Sequence, residues 1–286
     1  MISSRRRATK LLDVIGPVVL SAFSLFIVFG LLQPVALTLD PSFSLLASRS
    51  VGKIAFTLAV IIHIFMIAAL QPRSWWQQFV AINAGFIKSS RWLKPFFTIF
   101  GVFFSLHAAL LVALAATPYA SLNLPTLSET FHKLPGILLG FVATFFLAWT
   151  EEAIFRGTLI PLLKNSLSTI PSIFISALIF MLAHNVTAPW QLLTTDLALG
   201  TGLFLLGFML AQLYVISGTL YVGMGAHAGL VFVKVILRRL PCVLYAAQLP
   251  WWVHPDLRQS PLVHLLFLAV ICGLFVNFKG LFTKKA

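Results

Sequence analysis

The apolar residues of this chain fall in long, nearly unbroken runs, not in the alternation of a half-buried strand or the narrow stripe of a soluble amphipathic helix. Taking about 20 apolar residues as one crossing of a bilayer, the runs predict spans at Val14–Ala36, Val51–Leu70, Pro95–Ala116, Leu134–Phe155, Ile170–Val186, Asp196–Ser217, Leu220–Leu237 and Ser260–Phe278. The expected fold class is an all-α, polytopic membrane helix bundle of about eight transmembrane helices. Two stretches break the pattern. Gln71–Lys94 mixes Trp75, Trp76, Phe79, Phe86 and Trp92 with Arg73, Lys88, Arg91 and Lys94, as an interfacial helix on the cytoplasmic surface does, although an ordinary loop fits as well. Thr117–Lys133, with Pro118 and Pro125, reads as an exterior loop.

Composition supports the membrane reading: 59% of the 286 residues are hydrophobic and 9% are charged, against about 25% charged in soluble domains. The formal net charge of +13 invites a nucleic-acid partner. The basic residues are dispersed at the ends of apolar runs, however, with no basic face or RNA-binding motif, so nucleic acid is set aside and the bilayer is the expected partner. Placing the N-terminus in the cytoplasm puts most of the Lys and Arg on that side, with Arg49, Lys53, Lys133, Lys234, Arg238, Arg239 and Arg258 opposite. An inner or plasma membrane is the expected location. The basic cluster Arg5, Arg6, Arg7 and Lys10 precedes an apolar run too long for a signal peptide's core, so a retained first span is expected. Cys242 and Cys272 lack disulfide or metal spacing and read as packing residues.

The chemistry lies in a few polar residues inside the spans. Glu151 and Glu152 are adjacent, and the only other glutamate is Glu129. An ionised carboxylate inside a membrane helix costs about 2.5–3.5 kcal/mol on insertion scales, which makes function the default hypothesis. Glu152 and Arg156 are spaced i, i+4 with the acid first, the favoured order for a helical ion pair, leaving Glu151 about a quarter turn away. Two carboxylates this close repel each other, which suits one of them to accept a proton from water. The next span carries Phe180 and His184 on one helix face. If the Glu151 helix runs on past Arg156 and turns between Lys164 and Pro171, Glu151 and His184 share a depth of about 20 Å; if it stops at Phe155, they do not meet. His227 sits among Gly223, Gly225 and Gly229, where a neighbouring helix can approach closely, at a shallower expected depth of about 10 Å. His63 and His107 read as interior hydrogen-bonders, Asp196 as a boundary or helix N-terminal acid, and Asn185 as either a site amide or a cap.

Glu151-Glu152-x-x-x-Arg156, then Phe180-x-x-x-His184, then His227, each on its own helix, resemble the CPBP family of intramembrane proteases. That family includes the CAAX prenyl endopeptidases and bacterial proteins grouped as Abi or bacteriocin-immunity proteins. The likeness covers about Leu134–Leu237 and implies a catalytic four-helix core at residues 134–237. The N-terminal helices and interfacial segment then occupy 1–133, and a loop and last helix occupy 238–286. It implies an endopeptidase acting on a membrane-associated protein or peptide, with Glu151 as general base on a water, His184 assisting, and His227 polarising the scissile carbonyl. Glu152, Arg156, Phe180 and Asn185 are supporting residues. One departure stands out: Val231 occupies the position four after His227 where the family carries an amide or acid.

No metal or other cofactor is expected. In the alternative, Glu151, His184 and His227 would hold Zn²⁺, since two histidines and a glutamate form several hydrolytic zinc sites, although the HExxH form is missing. Two non-protease readings compete: a proton- or ion-coupled transporter, whose buried acids and histidines relay protons, and a non-catalytic scaffold or immunity-type protein of the same fold.

Overall fold

A computed structural model describes residues 90–164, 167–185 and 188–282. The expected spans Val14–Ala36 and Val51–Leu70, and most of the interfacial segment Gln71–Lys94, lie outside the described residues. After a 3₁₀ turn at Ser90–Trp92, α1 (Leu93–Ala115) buries Phe96, Phe103, His107, Leu111 and Leu114 along one stripe. Ile99, Phe100 and Leu110 pack at the edges of this stripe, while Phe97, Val102, Leu106 and Val112 face outward, as a lipid-facing helix requires.

α2 (Leu127–Glu152) begins at Leu127, ahead of the expected Leu134, so residue 133 lies within a helix. The reason is a capping box: the Thr126 hydroxyl accepts from the Glu129 N–H, and the Glu129 carboxylate accepts from the Thr126 N–H. The expected exterior loop is shortened further by β1 (Ala120–Leu122), which pairs antiparallel with β2 (Val243–Tyr245).

α2 does not stop at the carboxylates. It passes into a π-helical segment, Ala153–Leu159, and then α3 (Ile160–Lys164), giving one continuous helical rod of 38 residues from Leu127 to Lys164. Pro161 supplies no N–H, so the turn before it loses a backbone bond whatever its pitch. Side chains bond to carbonyls of the wide turn: the Thr158 hydroxyl donates to the Ala153 carbonyl, and Ser176 of the next helix donates to the Phe155 carbonyl. Gly157 and Pro161 thus accompany a widened helix and not a break.

α4 (Thr169–Ala183) has 15 residues, about 22 Å, which is short of the roughly 30 Å hydrocarbon core. It ends before the expected Val186, and His184 sits where it stops. A short α5 (Gln191–Thr194) follows, then α6 (Leu197–Ser217) and α7 (Leu220–Arg239). The two long helices are antiparallel neighbours because Gly218, at φ 66°, ends α6 in the left-handed conformation. Asp196 is the N-cap residue of α6 without a side-chain capping bond. A 3₁₀ turn at Leu257–Gln259, α8 (Pro261–Asn277) and α9 (Lys279–Phe282) complete the described chain.

Among the described residues four helices are long and apolar enough to cross a membrane, and Thr169–Ala183 and Pro261–Asn277 are shorter apolar helices. The architecture is an all-α membrane helix bundle with one small two-stranded ladder. α7 lies at its centre, packed against α1, α2 and α6. Gly225 and Gly229 allow this, since a Cβ at either would stand 2.5 or 2.6 Å from the carbonyl oxygen of Phe96 or Phe100 in α1.

Candidate active site

The continuous rod satisfies the condition for Glu151 and His184 to meet, because the chain turns between Lys164 and Thr169 and brings α4 back alongside. Glu151 Oε2 is 3.8 Å from His184 Nε2 and 3.7 Å from His227 Nε2. The shallower depth expected for His227 does not keep it away. Three helices therefore deliver three polar groups to one place.

Each imidazole is oriented by a bond at its other nitrogen. His184 Nδ1 donates to the Phe180 carbonyl at 2.8 Å, and since a carbonyl only accepts, the neutral ring presents a bare Nε2 towards Glu151. Phe180 also packs against this ring at an angle of 57°, with centroids 4.4 Å apart. His227 Nδ1 lies 3.2 Å from Glu152 Oε1. The same oxygen accepts from Arg156 Nη1 at 3.0 Å.

Glu152 and Arg156 are fully buried, at 0% exposure each. Arg156 has two further anchors: Nη2 donates to the Gly207 carbonyl at 2.9 Å, and the guanidinium lies 4.6 Å from the Phe180 ring centre. Phe180 thus touches the cation on one side and His184 on another. Asn185 is turned into the following loop, where its amide donates to Gln191 and its oxygen accepts from the Ala188 N–H. Val231 is half-buried one helical turn beyond His227.

Two carboxylate oxygens in this cluster, Glu151 Oε2 and Glu152 Oε2, are buried and make no hydrogen bond to protein. Glu152 Oε2 faces Gly223, where a Cβ would stand 2.8 Å from it. Glu151 Oε2 faces the two Nε2 atoms. A tetrahedral zinc with ligands at about 2.0–2.1 Å would set its donors about 3.4 Å apart. The 3.7 and 3.8 Å separations are wider, and among the described residues no group of three His, Cys, Asp or Glu side chains has metal-holding geometry.

Sequence reasoning paired Glu152 with Arg156 and missed its contact with His227; the glycine at 223, one turn before His227, was the available signal. It also missed the ionic cluster on the loop after α7. There Asp256 accepts from Lys234 Nζ at 2.6 Å and from Arg258 Nη2 at 2.6 Å. Burial raises the Asp256 carboxyl, but these hydrogen bonds outweigh it and hold the group well below the usual carboxylate range. His107, as expected, is an interior hydrogen-bonder, with Nδ1 on the Leu230 carbonyl of α7 at 2.9 Å.

No curated protein and no solved structure matches the chain. Residues 133–233 match the family model described as type II CAAX prenyl endopeptidase Rce1-like, a segment that holds Glu151, Glu152, Arg156, Phe180, His184 and His227. With the apolar helices, this match supports an integral membrane protein carrying a segment similar to a protease family. Over residues 133–233 the chain is similar to the type II CAAX prenyl endopeptidase Rce1-like family.

Proposed function

We propose that the cluster hydrolyses a peptide bond of a membrane-associated protein or peptide, using a water activated by Glu151. The observation that carries this reading is the buried Glu151 Oε2, unbonded to protein and aimed between two imidazole Nε2 atoms at 3.8 and 3.7 Å. A water held there gives one proton to Glu151 and is oriented through its second proton by the bare Nε2 of His184. Its oxygen bonds to the scissile carbonyl carbon. The carbonyl oxygen becomes an oxyanion facing His227, whose Nε2 donates once the ring carries both protons. Glu151 then passes its proton to the departing amide nitrogen as the C–N bond breaks, leaving a carboxylic acid and an amine.

Charge balance supports this assignment. Glu151, Glu152 and Arg156 together sum to one negative charge; an imidazolium at His227, between the two carboxylates, brings the buried cluster to zero. No step of this reading runs through a metal. The place where α4 ends, short of a full crossing, gives polar backbone and water a common boundary at the site, as non-helical backbone at membrane depth requires. The dispersal of Lys and Arg supports an N-terminus in the cytoplasm and residence in an inner or plasma membrane.

The test compares the peptides in membranes containing the wild-type protein with those in membranes containing Glu151→Ala. A set of membrane-protein fragments present only with the wild type, with their intact precursors accumulating in the variant, is expected. Identical fragment profiles would overturn the assignment.

A further inference from the structure

Glu152 makes contacts that a helix-orienting ion pair does not require. Its Oε1 takes two donors at once, Arg156 Nη1 at 3.0 Å and His227 Nδ1 at 3.2 Å. A carboxylate oxygen only accepts, so this contact places a proton on Nδ1 of His227 and leaves Nε2, the nitrogen facing Glu151, to gain or lose the second one. The cation on the other side of Glu152 is fixed independently, by the Gly207 carbonyl and the Phe180 ring. The carboxylate is therefore clamped between an immobile guanidinium and the imidazole.

The helix that carries His227 is shaped to receive it. Gly223 lies one turn before His227, and a Cβ there would stand 2.8 Å from Glu152 Oε2, so the bare backbone of α7 forms the wall against which the carboxylate rests. Glu152 is at 0% exposure and His227 at 3%. In such surroundings a charge-assisted hydrogen bond is strong and directional. Beyond His227, Val231 offers no polar group.

We propose that Glu152 is the positioning residue of His227: it fixes the Nδ1–H tautomer, holds the ring over the site and balances the imidazolium that faces the oxyanion, so that one imidazole serves where a second donor at position 231 is lacking. This rests on the reading of His227 as the oxyanion donor. Arg156 and Phe180 act one step further out, by holding Glu152 and the guanidinium in place.

The experiment is a double-mutant cycle on the full-length protein in liposomes, cleaving a peptide identified from the membrane comparison. Glu152→Gln keeps the shape of the side chain but removes the charge and can offer an N–H to Nδ1, forcing the other tautomer. It is expected to lower kcat by about 10²-fold or more, with KM changed less than about threefold, in the range seen when an orienting partner of a catalytic histidine is lost. His227→Gln alone is expected to cost about 10²–10³-fold. The double variant is expected to be no slower than His227→Gln, because Glu152 then has nothing left to position.

Losses that multiply in the double variant, or a Glu152→Gln protein with wild-type kcat, would overturn the proposal. Thermal unfolding in detergent checks that each variant is folded; if Glu152→Gln is not, Glu152→Asp, which keeps the charge but withdraws it by one methylene, takes its place in the same cycle. Glu151→Gln is measured alongside. If it is inactive while the cycle multiplies, only the positioning role falls; if it still cleaves, the reading of the site falls with it.

Discussion

Gly229→Ala tests whether the centre of the bundle sets the geometry of the site. Gly229 and His227 are two residues apart on α7, about 200° around the helix, so the helix is wedged between α1 on one face and the two carboxylates on the other. A Cβ at 229 would stand 2.6 Å from the Phe100 carbonyl oxygen and 3.0 Å from the Phe104 nitrogen, both backbone atoms that cannot swing aside. Close carbon–oxygen contacts between helices sit near 3.3–3.6 Å, so α1 and α7 must separate by about 0.7 Å. Any share of that movement taken by α7 presses His227 against Glu152 Oε1 and Glu151 Oε2, now 3.2 and 3.7 Å away. A misplacement of about 1 Å costs about 10²-fold in rate, so a loss of about tenfold in kcat is expected. Stability should change much less: overpacking costs about 1–3 kcal/mol, and replacing a helical glycine by alanine returns about 1 kcal/mol. The assay is peptide cleavage in liposomes with thermal unfolding in parallel. Gly273→Ala on α8, where nothing lies within 4 Å of the added Cβ, is the control. A folded Gly229→Ala protein whose kcat stays within about threefold of wild type would refute the wedge.

Two further outcomes follow from the same geometry. Asp256 is depressed in the folded protein, so its contribution to stability is complete above the unfolded carboxyl value near 3.9 and is lost as pH falls below it. The stability gap between wild type and Asp256→Asn, about 1 kcal/mol at neutral pH after solvent screening, should begin to narrow below about pH 5 and go on narrowing as pH falls towards the depressed value of the folded carboxyl; a gap independent of pH would contradict this. On the water-only mechanism, cleavage should persist in a strong chelator, and inhibition reversed by added zinc would count against it.

Much of the site was legible because membrane helices make polar residues conspicuous. Glu151, His184 and His227 stood out as charges and imidazoles in apolar runs, and helical rise alone brought the first two to one depth once the rod was continuous. The length of that rod was harder to read, since hydropathy falls at Glu151 and Glu152 although the helix does not end there. The start of α2 was visible in principle: Thr126 and Glu129 are spaced as a capping box, yet Pro125 and the neighbouring polar residues masked it. The widened turn at Ala153–Leu159 depends on Ser176 from another helix, and no local pattern reports such a partner. Strands as short as Ala120–Leu122 and Val243–Tyr245 carry too few residues for an alternation to show. The link between Glu152 and His227 joins residues far apart in sequence through a space left by Gly223, which spacing rules for a single helix do not address.

The central claim is that Glu151 takes the proton from the attacking water. Its most direct test is single-turnover cleavage in ¹⁸O-labelled water by purified protein in liposomes, comparing wild type with Glu151→Gln. The account predicts that wild type places one ¹⁸O in each new carboxyl group and that the variant cleaves about 10²–10⁴-fold more slowly, the span of a lost general base. Equal rates for the two proteins would contradict it.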